Sequence, residues 1–217
     1  MPAPPSAPRQ RRKDARPAEL LAAALDVFVE KGFAATRMDE IAQRAGVSKG
    51  TVFLYYESKQ ALFRAVVQEA VVPHLAAGEA LAEAADSDPA QLLRELLRRY
   101  WQVLGDARLA GIPKLVMAEA GNFPEVAAFY HENVVERGRA LFIAVLERGI
   151  QAGVFRPCNP LVICHLAIAP LMFSCMWRQT LACCDDRQID PEIFVQTHLD
   201  MFMRGLLAVP AGGRNVE

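Results

Sequence analysis

Residues 32–62 constrain this chain more than any other stretch. Gly32-Phe33-Ala34-Ala35-Thr36-Arg37-Met38-Asp39-Glu40-Ile41-Ala42 leads into Ala45-Gly46-Val47-Ser48-Lys49-Gly50-Thr51-Val52-Phe53-Leu54-Tyr55-Tyr56, then Lys59 and Leu62. Ile41, Ala42 and Ala45 share one face of a short helix, about 37–45. Gly46 makes a turn where a Cβ is costly at positive φ. Ser48 is placed to cap a second short helix, about 49–56, that carries basic and aromatic side chains. Two short helices across a tight glycine turn make a helix-turn-helix, about 37–56, whose second helix suits the DNA major groove.

The flanks complete a small core. Leu20, Leu21, Ala24, Leu25, Phe28 and Val29 recur at helical spacing over about 17–31. Pro17 suits a first helical position and Gly32 a helix end. A further helix starts near Ser58, carries Leu62, Phe63, Val66 and Val67, and is expected to bend near Pro73.

Beyond residue 75 long amphipathic segments follow, at about 89–105, 109–120, 124–151, 160–182 and 191–208. Gly121-Asn122-Phe123-Pro124, Gly153, Cys158-Asn159-Pro160 and 185–191 separate them. Asn159-Pro160 and Asp190-Pro191 each read as an N-cap followed by proline at the first position. With 53% hydrophobic residues and little strand-like alternation, the chain reads as all-α and folded. The expected division is a flexible basic tail at 1–15, a three-helix head at 16–74, a larger helical body at 75–209 and a loose tail at 210–217.

Charge supports that division. Residues 1–60 hold ten Lys/Arg against seven Asp/Glu, whereas the remainder holds fourteen against eighteen. A basic head on an acidic body suits a polyanion-binding role. Arg9, Arg11, Arg12 and Lys13 in the Pro-rich leader can form an arm beside the head. The five cysteines lie in apolar helical context, and residues 1–16 have no apolar signal-peptide core. Residues 161–177 are interrupted by His165, Pro170 and Ser174 and followed by Arg178, which favours a buried helix over a membrane span. Reduced thiols in the cytoplasm are the expectation.

No GxSxG, P-loop, GxGxxG or HExxH is present, so no enzyme is expected. Cys183-Cys184 lacks the spacing of a zinc site; a thiol- or metal-sensing role for this pair is the alternative reading. A non-specific architectural DNA binder is another. No cofactor is expected.

Gly32, Phe33, Thr36, Ile41, Ala42, Ala45, Gly46, Val47, Ser48, Gly50, Thr51, Tyr55, Lys59 and Leu62 resemble, in order and spacing, the DNA-binding head of TetR-family transcriptional regulators. The resemblance covers about residues 16–63. Met117-Ala118-Glu119-Ala120 through Phe123-Pro124-Glu125 is similar to one subgroup of family bodies. The resemblance implies a homodimeric regulator, usually a repressor, that leaves a palindromic operator when a small molecule fills a pocket in the body.

DNA contacts are therefore expected from Thr36, Arg37, Ser48, Lys49, Gly50, Thr51, Leu54, Tyr55 and Lys59. Thr36 is expected to cap the first short helix and present its hydroxyl to phosphate. Lys49 and Lys59 flank the recognition helix as phosphate-anchoring cations. The family uses a tyrosine where Tyr55 stands. Phe53 departs from the family, which often places a tyrosine there, and Leu54 can pack on a thymine methyl but cannot hydrogen-bond a base. An effector pocket is expected from Tyr100, Trp101, Met117, Phe129, Phe173, Met176 and Trp177, with His165 and His131 able to orient a ligand. Such Met and aromatic walls suit an apolar or aromatic ligand. The dimer face is expected from Leu166, Leu171, Phe194, Phe202 and Leu206 on the last two long helices.

Overall fold

The computed structural model describes residues 16–83 and 88–208. The basic tail and the C-terminal tail expected from sequence lie outside them. The described residues contain helices and no strand; Phe155 and Leu207 form an isolated antiparallel bridge. The helices are α1 (Arg16–Ala35), α2 (Met38–Arg44), α3 (Lys49–Tyr55), α4 (Lys59–Ala70), α5 (Val72–Glu83), α6 (Pro89–Gly105), α7 (Gly111–Glu119), α8 (Pro124–Tyr130), α9 (Glu136–Gln151), α10 (Pro160–Thr180) and α11 (Pro191–Leu206). A π-helical turn over His131–Val135 joins α8 to α9, so the single helix expected at 124–151 is divided. The helix expected to bend near Pro73 is instead two helices, α4 and α5, meeting at Val71.

The chain forms two compact units. Among the described residues, the first contains 16–71 and 115–130; the second contains 72–83, 88–114 and 131–208. The division falls inside α7, between Lys114 and Leu115. Residues 115–130, which lie in the stretch read from sequence as the body, thus pack within the first unit.

In the first unit, Phe28, Phe33 and Phe63 are each at most 1% exposed and pack ring against ring. Phe28 stacks on Phe33 at 5.6 Å, and Phe63 meets both edge-on at 5.7 and 5.8 Å. Phe123 joins them at 4.8 Å from Phe33. Edge-on and offset pairs add to the burial of apolar area itself. Leu20, Ala24, Ile41, Val52 and Leu62 fill the space between α1, α2, α3 and α4.

The second unit is built around α6 and α9, with α10 and α11 against them. Leu93, Leu97, Val145, Leu146, Leu171, Leu199 and Met203 are nearly or wholly buried. Gly149 admits the ring of Phe155, whose Cδ2 and Cε2 lie where a Cβ would stand, at 2.1 and 2.2 Å. Asn159 and Asp190 accept the first free N–H groups of α10 and α11, with proline at the first turn of each.

Candidate nucleic-acid interface

The first unit presents α3 outward. After α2, Gly46 takes φ 66, a conformation that side chains with a Cβ rarely adopt. The Val47 N–H donates to the Ala42 carbonyl and the Gly46 N–H to the Gln43 carbonyl, closing the C-terminal turn of α2. The next helix then leaves at a defined angle. Ser48 Oγ accepts from the Thr51 N–H at 3.2 Å and shares a 2.8 Å hydrogen bond with Thr51 Oγ1. Val52 is fully buried and anchors α3 to the core. Lys49, Gly50, Phe53, Leu54 and Tyr55 face solvent, Leu54 at 80% exposure. Lys49 Nζ lies 5.9 Å from the Phe53 ring centre, and Tyr55 and Tyr56 rings are 6.5 Å apart.

Arg37, rather than Thr36, occupies the N-cap of α2. Its backbone N–H donates to Glu40 Oε2 at 3.3 Å, so Glu40 is the reciprocal partner of the cap. The Arg37 guanidinium is exposed and pairs with Asp39 at 3.2 Å; that hydrogen bond holds the Asp39 carboxyl below its usual range.

Two sequence expectations are corrected here. Thr36 is 2% exposed, and its hydroxyl donates to the Gly32 carbonyl at 2.6 Å, so it faces the core and offers no hydrogen to phosphate. Lys59 is half-buried, and its ammonium donates to the carbonyls of Phe33, Ala34 and Thr36 at 2.6, 3.1 and 3.0 Å. It also stands 4.6 Å from the Phe33 ring centre and 5.8 Å from that of Phe123. Burial lowers its pKa, partly offset by the nearby Glu119 carboxylate. The sequence signal that implied a phosphate contact marks, in this structure, a cation that fastens the end of α1.

Residues 115–130 complete the fastening, a role the sequence reading missed. Glu119 Oε1 accepts the Ala34 N–H at 2.9 Å, and Arg64 stands 5.5 Å over the Phe129 ring. The Met-Ala-Glu-Ala to Phe-Pro-Glu resemblance was the signal available in the chain.

The seven residues expected in an effector pocket are divided between the units. Met117 and Phe129 lie in the first, the other five in the second. Met117, His165 and Phe173 are exposed, Met117 at 63% and Phe173 at 66%. Phe173 packs on Trp177 at 5.9 Å along the outer side of α10, so this pair belongs to a surface stripe rather than to an enclosed wall. Trp101 is 8% exposed, with Phe194 at 5.5 Å and the Arg178 guanidinium at 4.9 Å from its ring.

The expected dimer residues also separate. Leu166 is exposed, but Leu171 and Leu206 are core residues at 0 and 1% exposure. Phe194 and Phe202 are half-buried and sandwich His198, whose Nε2 lies 2.9 Å from the Ala167 carbonyl. Placing Leu171 and Leu206 outward set the helix phase wrongly. The outward stripes are Val162, Leu166, Phe173 and Trp177 on α10, and Ile193 and Met201 on α11.

Cys183 and Cys184 are exposed with sulfurs 3.6 Å apart. Among the described residues no group of three or more His, Cys, Asp or Glu is arranged so that it could hold a metal ion.

The profile of bacterial regulatory proteins of the tetR family matches residues 20–66, and that of the tetracyclin repressor-like C-terminal domain matches residues 87–190. The HTH-type transcriptional regulator YfiR of Bacillus subtilis, itself uncharacterized, is 30% identical over 157 residues, 70% of this chain and 74% of YfiR. This chain belongs to the TetR family. The HTH-type transcriptional activator FasR of Mycolicibacterium smegmatis is 39% identical over 92 residues, and that match spans less than half of either protein, 42% of each. The fold is that of the regulator FadR from Bacillus subtilis, solved in complex with stearoyl-CoA, with a TM-score of 0.68 at 17% identity over 87% of this chain and 98% of FadR.

Proposed function

We propose that this TetR-family member is a sequence-specific, DNA-binding transcriptional regulator whose α3 enters the major groove. The observation that carries the reading is α3 itself: capped by Ser48, anchored by Val52, and exposing Lys49, Gly50, Leu54 and Tyr55 to solvent, with Thr51 half-buried. Lys49, Arg37 and the Tyr55 hydroxyl supply phosphate contacts, which position the protein but carry no sequence information. Thr51 and Leu54 read bases, Leu54 through apolar contact with a thymine methyl.

The active form is a homodimer on a palindromic operator. One seven-residue recognition helix gives limited affinity, whereas a two-fold pair reads two half-sites one turn of DNA apart. The outward stripes of α10 and α11 support a four-helix interface with a second copy. By length and composition α10 could also cross a membrane, with mean hydropathy 1.8 and 22% of its most apolar stretch buried. Its inner face, through Ile163, Cys164, Ala167, Leu171 and Cys175, belongs to the core, which favours a partner subunit on the outer face over lipid. The protein acts in the cytoplasm as a non-enzymatic repressor, and a small apolar or aromatic ligand in the second unit releases it. The stearoyl-CoA complex of FadR, a protein of the same fold, supports an apolar effector.

The test is a titration on the DNA upstream of its own gene, against a scrambled duplex, at two salt concentrations. A preference of about 10³ supports the reading. Equal, salt-sensitive binding to both duplexes means that this DNA lacks the operator or that the protein is an architectural binder, and absence of binding at low salt overturns the assignment.

A further inference from the structure

The turn that launches α2 is held from two sides by opposite charges. α1 is interrupted at Gly32, which adopts φ 81, and the chain then passes through Phe33, Ala34 and Ala35 to the buried Thr36. A turn of this kind leaves carbonyls and N–H groups without helical partners. The Lys59 ammonium takes the carbonyls of Phe33, Ala34 and Thr36. The Glu119 carboxylate takes the Ala34 N–H at 2.9 Å. Glu119 is itself fixed: its other oxygen accepts from Asn122 Nδ2 at 3.2 Å, and its backbone carbonyl accepts from the N–H groups of Asn122 and Phe123 at 3.0 and 2.9 Å. Phe123 then packs on Phe33, beneath the same lysine. A Cβ at Gly32 would stand 3.4 Å from Glu119 Oε1, so the carboxylate sits in van der Waals reach of the turn.

We infer that Glu119 is a positioning residue for DNA binding, acting through the Ala34 N–H to set where α2, and with it α3, begins. Glu119 lies more than fifty residues beyond the matched head sequence of residues 20–66. Its carboxylate is directed at backbone of the head, and it makes its contribution without touching DNA. The inference rests on the DNA-binding reading above. A displacement of about 1 Å at the start of α2 moves the contact residues of α3 out of hydrogen-bond reach, because donor and acceptor must stay within about 3.2 Å.

Three measurements on the full chain test it. The first needs no DNA and no variant: exchange of the Ala34 amide in the native protein. Protection of at least about tenfold over an unstructured amide is expected, and free exchange overturns the proposal. The second compares operator affinity of Glu119→Ala and Glu119→Gln. The amide oxygen of Gln can still accept from Ala34, so E119Q stays within about threefold of the native protein while E119A weakens about tenfold. Operator binding by E119A within twofold of native overturns the proposal. The third is the salt dependence of operator binding. An unchanged slope for E119A is expected, because each lost phosphate contact would reduce it by about one; a changed slope overturns a role through positioning. Failure of the native protein to prefer any operator instead refutes the DNA-binding reading, which the exchange measurement does not share.

Discussion

Lys59 grips Phe33 twice: its ammonium donates to the Phe33 carbonyl at 2.6 Å and stands 4.6 Å over the same residue's ring. One side chain thus satisfies the backbone at the end of α1 and seals the aromatic core below it. Lys59→Met keeps the stem and removes the charge, leaving three carbonyls without this donor. A loss of about 2 kcal/mol in the stability of the first unit is expected, since hydrogen bonds from charged groups contribute about 1.5–3 kcal/mol and water can replace part of that. Urea unfolding followed by circular dichroism checks it; an unchanged midpoint would show that the clasp is dispensable.

Gly149→Ala is expected to damage the second unit. Its Cβ would overlap the Phe155 ring at 2.1 Å, and Phe155 is 1% exposed, so the ring has no open space to enter. Overpacking of this kind costs about 1–3 kcal/mol or more. Phe155→Leu combined with G149A should recover part of the loss, because the two changes act on one space. The melting temperatures of the single and double variants decide the point.

At the DNA face, Lys49→Ala and Leu54→Ala should fail differently. K49A removes a phosphate contact, so operator and non-specific DNA weaken together and the salt slope falls by about one. L54A leaves the slope alone and reduces discrimination at one base pair, by about 1 kcal/mol or more. Titrations on operators with thymine replaced by deoxyuridine identify which position Leu54 reads; no position sensitive in the native protein and insensitive in L54A would count against methyl contact.

Two charges on the outer stripes should separate the subunits. Phe173→Glu and Met201→Lys replace side chains that are 66 and 70% exposed, so the folded subunit tolerates them. In a dimer each places charge in an apolar interface, where burial without a partner is costly. Sedimentation should show monomers, with loss of high-affinity operator binding. Dimers of native strength would place the interface elsewhere.

His198 should make the second unit acid-sensitive. Burial between Phe194 and Phe202 lowers its pKa below that of the unfolded chain, with the Ala167 carbonyl partly opposing. The unfolded state therefore binds the proton first. Stability from this group is fully present above about pH 6.5 and declines as pH falls below it towards the folded value, by at most about 1.4 kcal/mol per pH unit. His198→Phe should flatten that part of the pH profile, measured as urea midpoints between pH 5 and 7.5.

How far the chain alone revealed this protein differs between its halves. The head was legible because its signals are local. Gly46 at positive φ and Ser48 as a cap are set by a few adjacent residues, and the local sequence reports them directly. The all-helical character and the family followed from the same local order. The phase of α10 and α11 was not legible. Both helices are apolar around much of their circumference, so composition alone could not say that Leu171 and Leu206 face inward while Phe173 and Met201 face out. The roles of Thr36, Lys59 and Glu119 were hidden for a related reason. A threonine at a helix start and a lysine beside a recognition helix both fit phosphate contact until the carbonyls of Gly32 and Phe33 are brought near them. Glu119 reaches Ala34 across 85 positions of chain. Local sequence determines which segments become helices. Which face is buried, and which backbone groups a distant charge must satisfy, depends on contacts that exist only once the helices have packed.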